Sequence, residues 1–566
     1  MVLVDMVMSA KDSLLVYLSN SNRSNSEIAI VTTAVVAIGL LLRYPDRAIG
    51  SESRPELGKK SIKGWPLLGN LPELIRFGET PLEMMQKNFE TFGDIYAMTI
   101  PIRGRLFFVN TPEMMEHILK TRFENYIKGD VFREVSSDIL GRGIFVADQE
   151  QWRFHRKTAS SIFTTKLFRQ VVRGAFKASA IDLCDVLIKE GELRNKPVDL
   201  QQSFLKMTMD VFGKMTFGLD FQALKHEGPH EFGDAFDYCT TLIDERITNP
   251  FFRLTHWFIP GKNRRSREAI AVLDRYAAKA IEDRRNETEE EKANRAKDLL
   301  DHFINYATED GTTLTPQDLR DVFVNFMVAG RDTTALTLSW QFYYILSQPR
   351  VLKNIMKEIQ IVLNGSEDIT YELLMNELPY LKSVMHETLR LAAIVPRNGK
   401  VAVDDDVLPD GTQVRKGDLV GFSTWCMGRN RRVWGEDAAI FVPERWLVDE
   451  EDENHEQNGD ATHTKAKSTP MHGHGKSPFG KFRMENQFKF NSFNAGPRLC
   501  LGQTFATLEA METTVILLLR LKLELAPGQE LPTYRGAATL TMKNPFLVMV
   551  KSLHREEPGQ GKTIAV

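Results

Sequence analysis

The sequence predicts one large, mainly α domain with a minor β portion, preceded by an N-terminal membrane anchor. Three observations carry this prediction. Helical apolar periodicity runs almost unbroken from Leu82 to Arg520. Strand-like alternation is confined to short pieces: IYAMTI (Ile95–Ile100), LFFVN (Leu106–Asn110) and LKLEL (Leu521–Leu525). Near the start, IAIVTTAVVAIGLLL (Ile28–Leu42) is an apolar run without a single charge.

At 1.5 Å per residue that run would span roughly 22 Å, short of the ~30 Å hydrocarbon core. Snorkelling flanks or local thinning can close the gap. Arg43, Arg47, Lys59, Lys60 and Lys63 follow it, whereas Lys11 and Arg23 stand alone before it. The positive-inside rule then turns the bulk of the chain toward the cytosol. No basic region leads the run and no A-x-A site follows it, so a retained anchor is favoured over a cleaved signal peptide. The predicted organisation is an anchor segment over 1–43, a linker over 44–70 and a catalytic domain over 71–555. Pro55, Pro66 and several glycines mark the linker. Within the domain, 449–481 opens on DEEDE and is almost devoid of apolar residues, which predicts a disordered surface insert. His463, His472 and His474 in it suit a metal, but solvated histidines are the simpler reading.

Composition excludes some classes. The 566 residues carry 72 basic and 75 acidic side chains, a net charge of −3. No single-sign field is available for nucleic acid. Four cysteines, Cys184, Cys239, Cys426 and Cys500, share no CxxC spacing, which argues against a disulfide framework or structural zinc.

The chemistry gathers at FNAGPRLCLG (Phe493–Gly502). Phe505, Leu508, Met511, Val515 and Leu518 recur at helical steps, so Cys500 falls just before a buried helix. There the dipole and free N–H groups would favour a thiolate. Gly496 permits a tight turn, Gly502 removes bulk, and Arg498 offers a cation to a carboxylate. A thiolate on such a loop, with an arginine alongside, fits the axial ligand of haem and one of its propionates. Upstream, Thr315-Pro316-Gln317-Asp318 starts a helix running to about Leu346, roughly 45 Å long. AGRDTT (Ala329–Thr334) sits in its middle, where Gly330 and a back-bonding Thr333 loosen the helix. ETLR puts Glu387 and Arg390 one turn apart, PERW supplies Arg445, and WRFHR puts Trp152 and Arg156 one turn apart.

These motifs, in this order, resemble the cytochrome P450 family over roughly Ile62–Val550. The resemblance implies a non-covalent, thiolate-ligated haem b with Cys500 as the iron ligand and Phe493, Gly496 and Gly502 shaping its loop. It makes Arg498, Trp152 and Arg156 propionate partners, and Asp332 and Thr333 the acid–alcohol pair that delivers protons. Glu387, Arg390 and Arg445 become a buried structural cluster. Animal ω-hydroxylases often carry a glutamate, covalently linked to haem, where this chain has Ala329; hence the non-covalent expectation.

Electrons must come from outside, because no flavin or nicotinamide fingerprint is present. The implied donors are a membrane-bound NADPH-cytochrome P450 reductase and cytochrome b5, with Arg429, Arg431 and Arg432 as a candidate docking face. The implied location is the endoplasmic reticulum membrane, with the catalytic domain facing the cytosol. Phe123–Lys157 and Asp404–Trp446 are similar to eukaryotic enzymes that hydroxylate the terminal carbon of fatty acids and alkanes. For such a substrate the candidate walls are Phe326, Ala329, Ile394, Val395, Leu540 and Thr541. Two other readings stay open: oxidation of another lipophile (sterol, terpenoid or xenobiotic), and a haem protein that does not oxygenate, such as an isomerase or a sensor. Asp332 and Thr333 weigh against the last.

Overall fold

A computed structural model describes residues 24–163, 166–295, 297–305, 314–366, 368–448, 475–536 and 538–553. Helix α1 (Asn25–Arg43) forms over the predicted apolar run and is closed at its start by a Ser24–Glu27 capping box. Its apolar residues are largely exposed. Among the described residues no helix is long and apolar enough to cross a membrane. Most of the polar insert, with His463, His472 and His474, lies outside the described residues.

The helices that position the site are α2 (Gln149–Phe163), α3 (Leu200–Phe217), α4 (Glu231–Thr248), α5 (Phe252–Phe258) and α6 (Pro260–Asn286). They continue with α7 (Pro316–Met327), α8 (Thr333–Ser347), α9 (Pro379–Ala392) and α10 (Gln503–Arg520). One extensive apolar core joins α3, α4, α7, α8, α9 and α10. The start of α7 follows its sequence signal: Thr315 accepts from Asp318 N, and Asp318 reaches back to Thr315 N. Helix α7 continues into α8 through one wide turn, Val328–Asp332, in which the backbone closes as a π-helix.

The β portion is small, as the alternation implies. Strands β1 (Ile95–Ile100), β2 (Gly104–Val109), β3 (Tyr126–Ile127), β5 (Asn398–Ala402) and β6 (Leu419–Phe422) form a five-stranded sheet ordered β1-β2-β6-β5-β3. Strands β4 (Val198–Asp199), β7 (Leu521–Leu525) and β8 (Leu547–Ser552) form a second, ordered β7-β8-β4. Among these strands β2 and β6 pair in parallel, and their crossover contains most of the described helices. The first sheet matters for function because β5 delivers residues 398–402 to the wall of the central cavity.

In the ETLR–PERW cluster Glu387 and Arg390 are fully buried and Arg445 is partly buried. Both Glu387 carboxylate oxygens accept from Arg390, at 2.7 Å each, and Arg445 Nε, Trp446 Nε1 and Val442 N add three more donors. Arg390 also donates to the carbonyls of Gly428, Ala438 and Ile440, fastening α9 to that segment. Ser492 Oγ donates to Leu389 O, which ties the same helix to the loop before Cys500.

Candidate active site

A cavity of about 560 Å³ lies between α4, the α7–α8 turn, β5 and the Phe493–Gly502 loop. Cys500 lines it together with Phe493, Arg498, Gly502, Trp152 and Arg156. The loop gets its shape from a left-handed Gly496 (φ +63°), where a Cβ would stand 2.1 Å from Leu119 O. Cys500 N donates to Phe493 O at 2.8 Å, closing a turn that points the sulfur into the cavity. Gly502 leaves room beside it, since even a Cβ there would lie 3.9 Å from the sulfur.

The thiol itself corrects one expectation. Cys500 lies near the start of α10, but its pKa is raised, not lowered. Burial opposes the thiolate more than the Gly502 N–H and the Arg156 charge favour it. Cys500 still has exposed surface, and that surface faces the cavity rather than bulk water. A thiolate here therefore depends on a positive partner in the cavity.

Around this loop the structure gathers more positive charge than the sequence motifs announce. Arg498 Nη2 donates to Ala147 O at 2.8 Å and to Asp148 at 3.1 Å, and its guanidinium stacks 4.8 Å from the Trp152 ring. Arg156 donates to Leu499 O. Two lysines join them that the motifs did not single out. Lys128 holds Asn398 Oδ1 at 3.2 Å; burial, then Arg498, lowers its pKa to about 8. Lys400 is almost completely buried, and burial, Lys128 and Arg498 push its pKa far below the ordinary lysine value. Lys400 Nζ and Arg498 Nε are buried without a hydrogen-bond partner. Orphaned buried donors of one sign cost several kcal/mol unless an anion arrives. The two propionates of a haem would supply that anion, and a cysteine sulfur facing the same space could ligate its iron, so the residues present fit the group.

Opposite, the wide turn exposes Ala329, Gly330 and Thr333 to the cavity. Thr333 Oγ1 donates to Ala329 O at 2.6 Å, the back-bond its position predicts. Gly330 lies within the wide turn, where the helix loosens as its position predicts, and the Phe212 ring of α3 occupies the space of its missing side chain, 2.1 Å from where a Cβ would sit. Asp332 does not line the cavity. It is buried and turned toward Arg331, whose Nη1 donates to it at 2.7 Å and to Asp237 of α4 at 2.5 Å. Burial pushes its pKa up to about 6 against the pull of Arg331. An acid poised near neutrality can both give and regain a proton.

Of the predicted walls, Phe326, Ala329, Ile394 and Val395 line the cavity. Leu540 and Thr541 do not; Leu540 is held away because its carbonyl accepts from Trp340 Nε1 at 2.8 Å and its N–H donates to Ile394 O at 2.8 Å. Ala538 and Thr539 face the cavity instead. Arg429 also departs from its predicted surface role: its guanidinium lies 3.7 Å from the Trp425 ring centre and donates to Leu391 O at 2.6 Å. Arg431 and Arg432 remain exposed.

The family model described as Cytochrome P450 matches residues 60–550. The chain belongs to the cytochrome P450 family. It is 35% identical over 531 residues to "Cytochrome P450 monooxygenase cyp1" of Mycosarcoma maydis, covering 90% of this chain and 78% of that one. It is 34% identical to "Cytochrome P450 704C1" of Pinus taeda over 81% of this chain and 86% of the relative. With "Cytochrome P450 86B1" of Arabidopsis thaliana the identity is 32%, over 87% and 86% respectively. As a cytochrome P450 monooxygenase it binds haem b through a cysteine thiolate and uses O2, a lipophilic substrate and a redox partner.

Proposed function

We propose that this P450 hydroxylates the terminal carbon of long-chain fatty acids or alkanes, with Cys500 as the iron ligand. The observation that carries the site assignment is that Cys500, the orphaned cations and Thr333 all line one cavity. Arg498, Arg156, Lys128 and Lys400 hold the haem propionates, with Trp152 packed on Arg498. Bound haem supplies activation of O2 and insertion of one oxygen atom into a C–H bond. Thr333 holds a hydroxyl at the cavity wall. Asp332 stores the proton behind it, and its reach to the cavity depends on how Arg331 divides itself between Asp332 and Asp237.

The substrate reading rests on the likeness of 123–157 and 404–446 to terminal hydroxylases and on the apolar walls Phe326, Ile394 and Val395. A methyl end can reach the reactive face only if those walls exclude the neighbouring methylenes. Membrane attachment suits such a substrate. Alongside α1, the chain exposes Trp257 and Phe258 on α5, at 72% and 66%, and Ile102 between β1 and β2, at 71%. The β1–β2 turn and the start of α5 are linked through α4, since Arg103 donates to Arg246 O and Arg246 lies over the Phe252 ring. We place the protein in the endoplasmic reticulum membrane with an NADPH-cytochrome P450 reductase as donor and cytochrome b5 as accessory. Arg431 and Arg432 are the candidate docking residues.

The test is product regiochemistry with palmitate and hexadecane in the reconstituted system. Oxygen found mainly on the terminal carbon supports the reading; oxygen mainly on interior carbons overturns it.

A further inference from the structure

Among the described residues, six cationic side chains line the cavity against a single acid, Asp244. Four of them, Lys128, Arg156, Lys400 and Arg498, belong to the Cys500 end and suffice for the two negative charges of the propionates. Arg397 and Arg103 remain, and both reach the other boundary, helix α4. Asn398 and Lys400 share one face of β5, the face turned to Lys128. Arg397, one residue before the strand, instead sends Nη2 to Asp244 Oδ1 of α4. That is its one hydrogen bond among the described residues, so Nε and Nη1 keep donors to spare. The Asp244 carboxylate also lies against Gly536, where an added Cβ would stand 2.9 Å from Oδ2.

Arg103 is the second cation. Its Nη1 pairs with Glu134 at 3.1 Å and its Nη2 donates to Arg246 O at 3.4 Å, two residues along α4 from Asp244. Its side chain is only 7% exposed, and its Nε is buried without a partner. Glu134 answers the Arg103 charge from one side, and the buried Nε leaves one N–H at the cavity wall that a carboxylate oxygen could accept.

We propose that Arg397 and Arg103 form a carboxylate-binding subsite for the head group of an anionic lipid substrate, with Asp244 holding the Arg397 guanidinium in place. The proposal rests on the fatty-acid reading above and adds its register. A chain held by its carboxylate at α4 directs the opposite, methyl end toward Cys500. A neutral alkane or alcohol gains nothing from the subsite, so the arrangement selects acids.

The experiment titrates the haem-loaded, full-length protein with palmitate and with hexadecan-1-ol, reading the low- to high-spin shift. In Arg397→Gln the ratio of the two dissociation constants should move against palmitate by about 10- to 100-fold, the worth of a charge-assisted pair. Arg397→Lys should restore part of it. Arg103→Gln should move the ratio in the same direction. A ratio that moves by less than fivefold overturns the subsite while wild-type palmitate binding leaves the fatty-acid reading standing. A wild type that responds to neutral lipophiles but not to palmitate overturns both. If Arg397→Gln fails to load haem, the wild type decides: methyl palmitate binding within fivefold of palmitate overturns the subsite, and weaker binding than that supports it.

Discussion

Two clusters of buried charge, one built on α9 and one beside the Cys500 loop, differ in one respect. At the Glu387–Arg390–Arg445 cluster the accounts close: Glu387 accepts five hydrogen bonds and Arg390 spends its donors on Glu387 and three carbonyls. At the Lys128–Lys400–Arg498 cluster they do not, because Lys400 Nζ and Arg498 Nε end without partners. The first cluster is satisfied as it stands; the second has donors that only an added anion would satisfy. Satisfied buried charge marks architecture, and unsatisfied buried charge of one sign marks a ligand.

That difference can be broken most severely at Glu387. Glu387→Gln leaves Arg390 buried without a counter-charge, which costs on the order of 3–5 kcal/mol. The expected outcome is little soluble, haem-loaded protein, measured by haem content and circular dichroism; a fully loaded variant would show that the cluster is not structural. Lys400→Met should behave in the opposite way. It removes a buried amine without a partner, so the haem-free chain should melt higher by several degrees, a gain of about 1–3 kcal/mol. Haem should dissociate at least about tenfold faster, as befits the loss of a charged hydrogen bond. A variant that loses stability with and without haem alike would place Lys400 with the structural cluster.

Smaller effects are expected across the cavity. Thr333→Ala removes only a back-bond to Ala329 O, so stability should change by less than about 1 kcal/mol. Product per NADPH should fall severalfold, with peroxide making up the balance. Unchanged coupling would remove Thr333 from the proton path. Asp332→Asn should give the smallest shift, visible through pH. Burial raises the Asp332 pKa to about 6, so the folded state holds this proton more tightly than the unfolded chain does. That contribution is fully present below the unfolded value near 4 and is lost as pH rises through about 6. The melting temperature of wild type relative to Asp332→Asn should therefore decline between pH 4 and pH 6; a constant difference would contradict the raised pKa.

Much of this was legible in the sequence, and the physical reason is locality. The Thr315 cap, the helix after Cys500, strands Ile95–Ile100 and Leu521–Leu525, and the left-handed Gly496 are local signals with local outcomes. The Cys500 loop and its arginine lie within ten residues of each other. What escaped depends on distance in the chain. Lys128 and Lys400 are separated by almost half the chain and meet only when β3 pairs with β5. Lys400 did leave one trace, a lysine on the face of a strand that is otherwise inward. The inward turn of Arg429 onto Trp425 and the turning of buried Leu540 away from the cavity follow from packing that no periodicity reports. The thiol was misjudged because helix-end electrostatics can be read from sequence whereas burial cannot.

The central claim is that the open cluster and Cys500 together hold haem through a thiolate. The most direct measurement is the reduced, carbon monoxide-bound spectrum of wild type and Cys500→Ser at matched haem content. The wild type should show the strongly red-shifted Soret band of thiolate-ligated haem, and the variant should lose it while keeping its circular dichroism. A variant that retains the wild-type band would show that another residue binds the iron and would contradict the assignment.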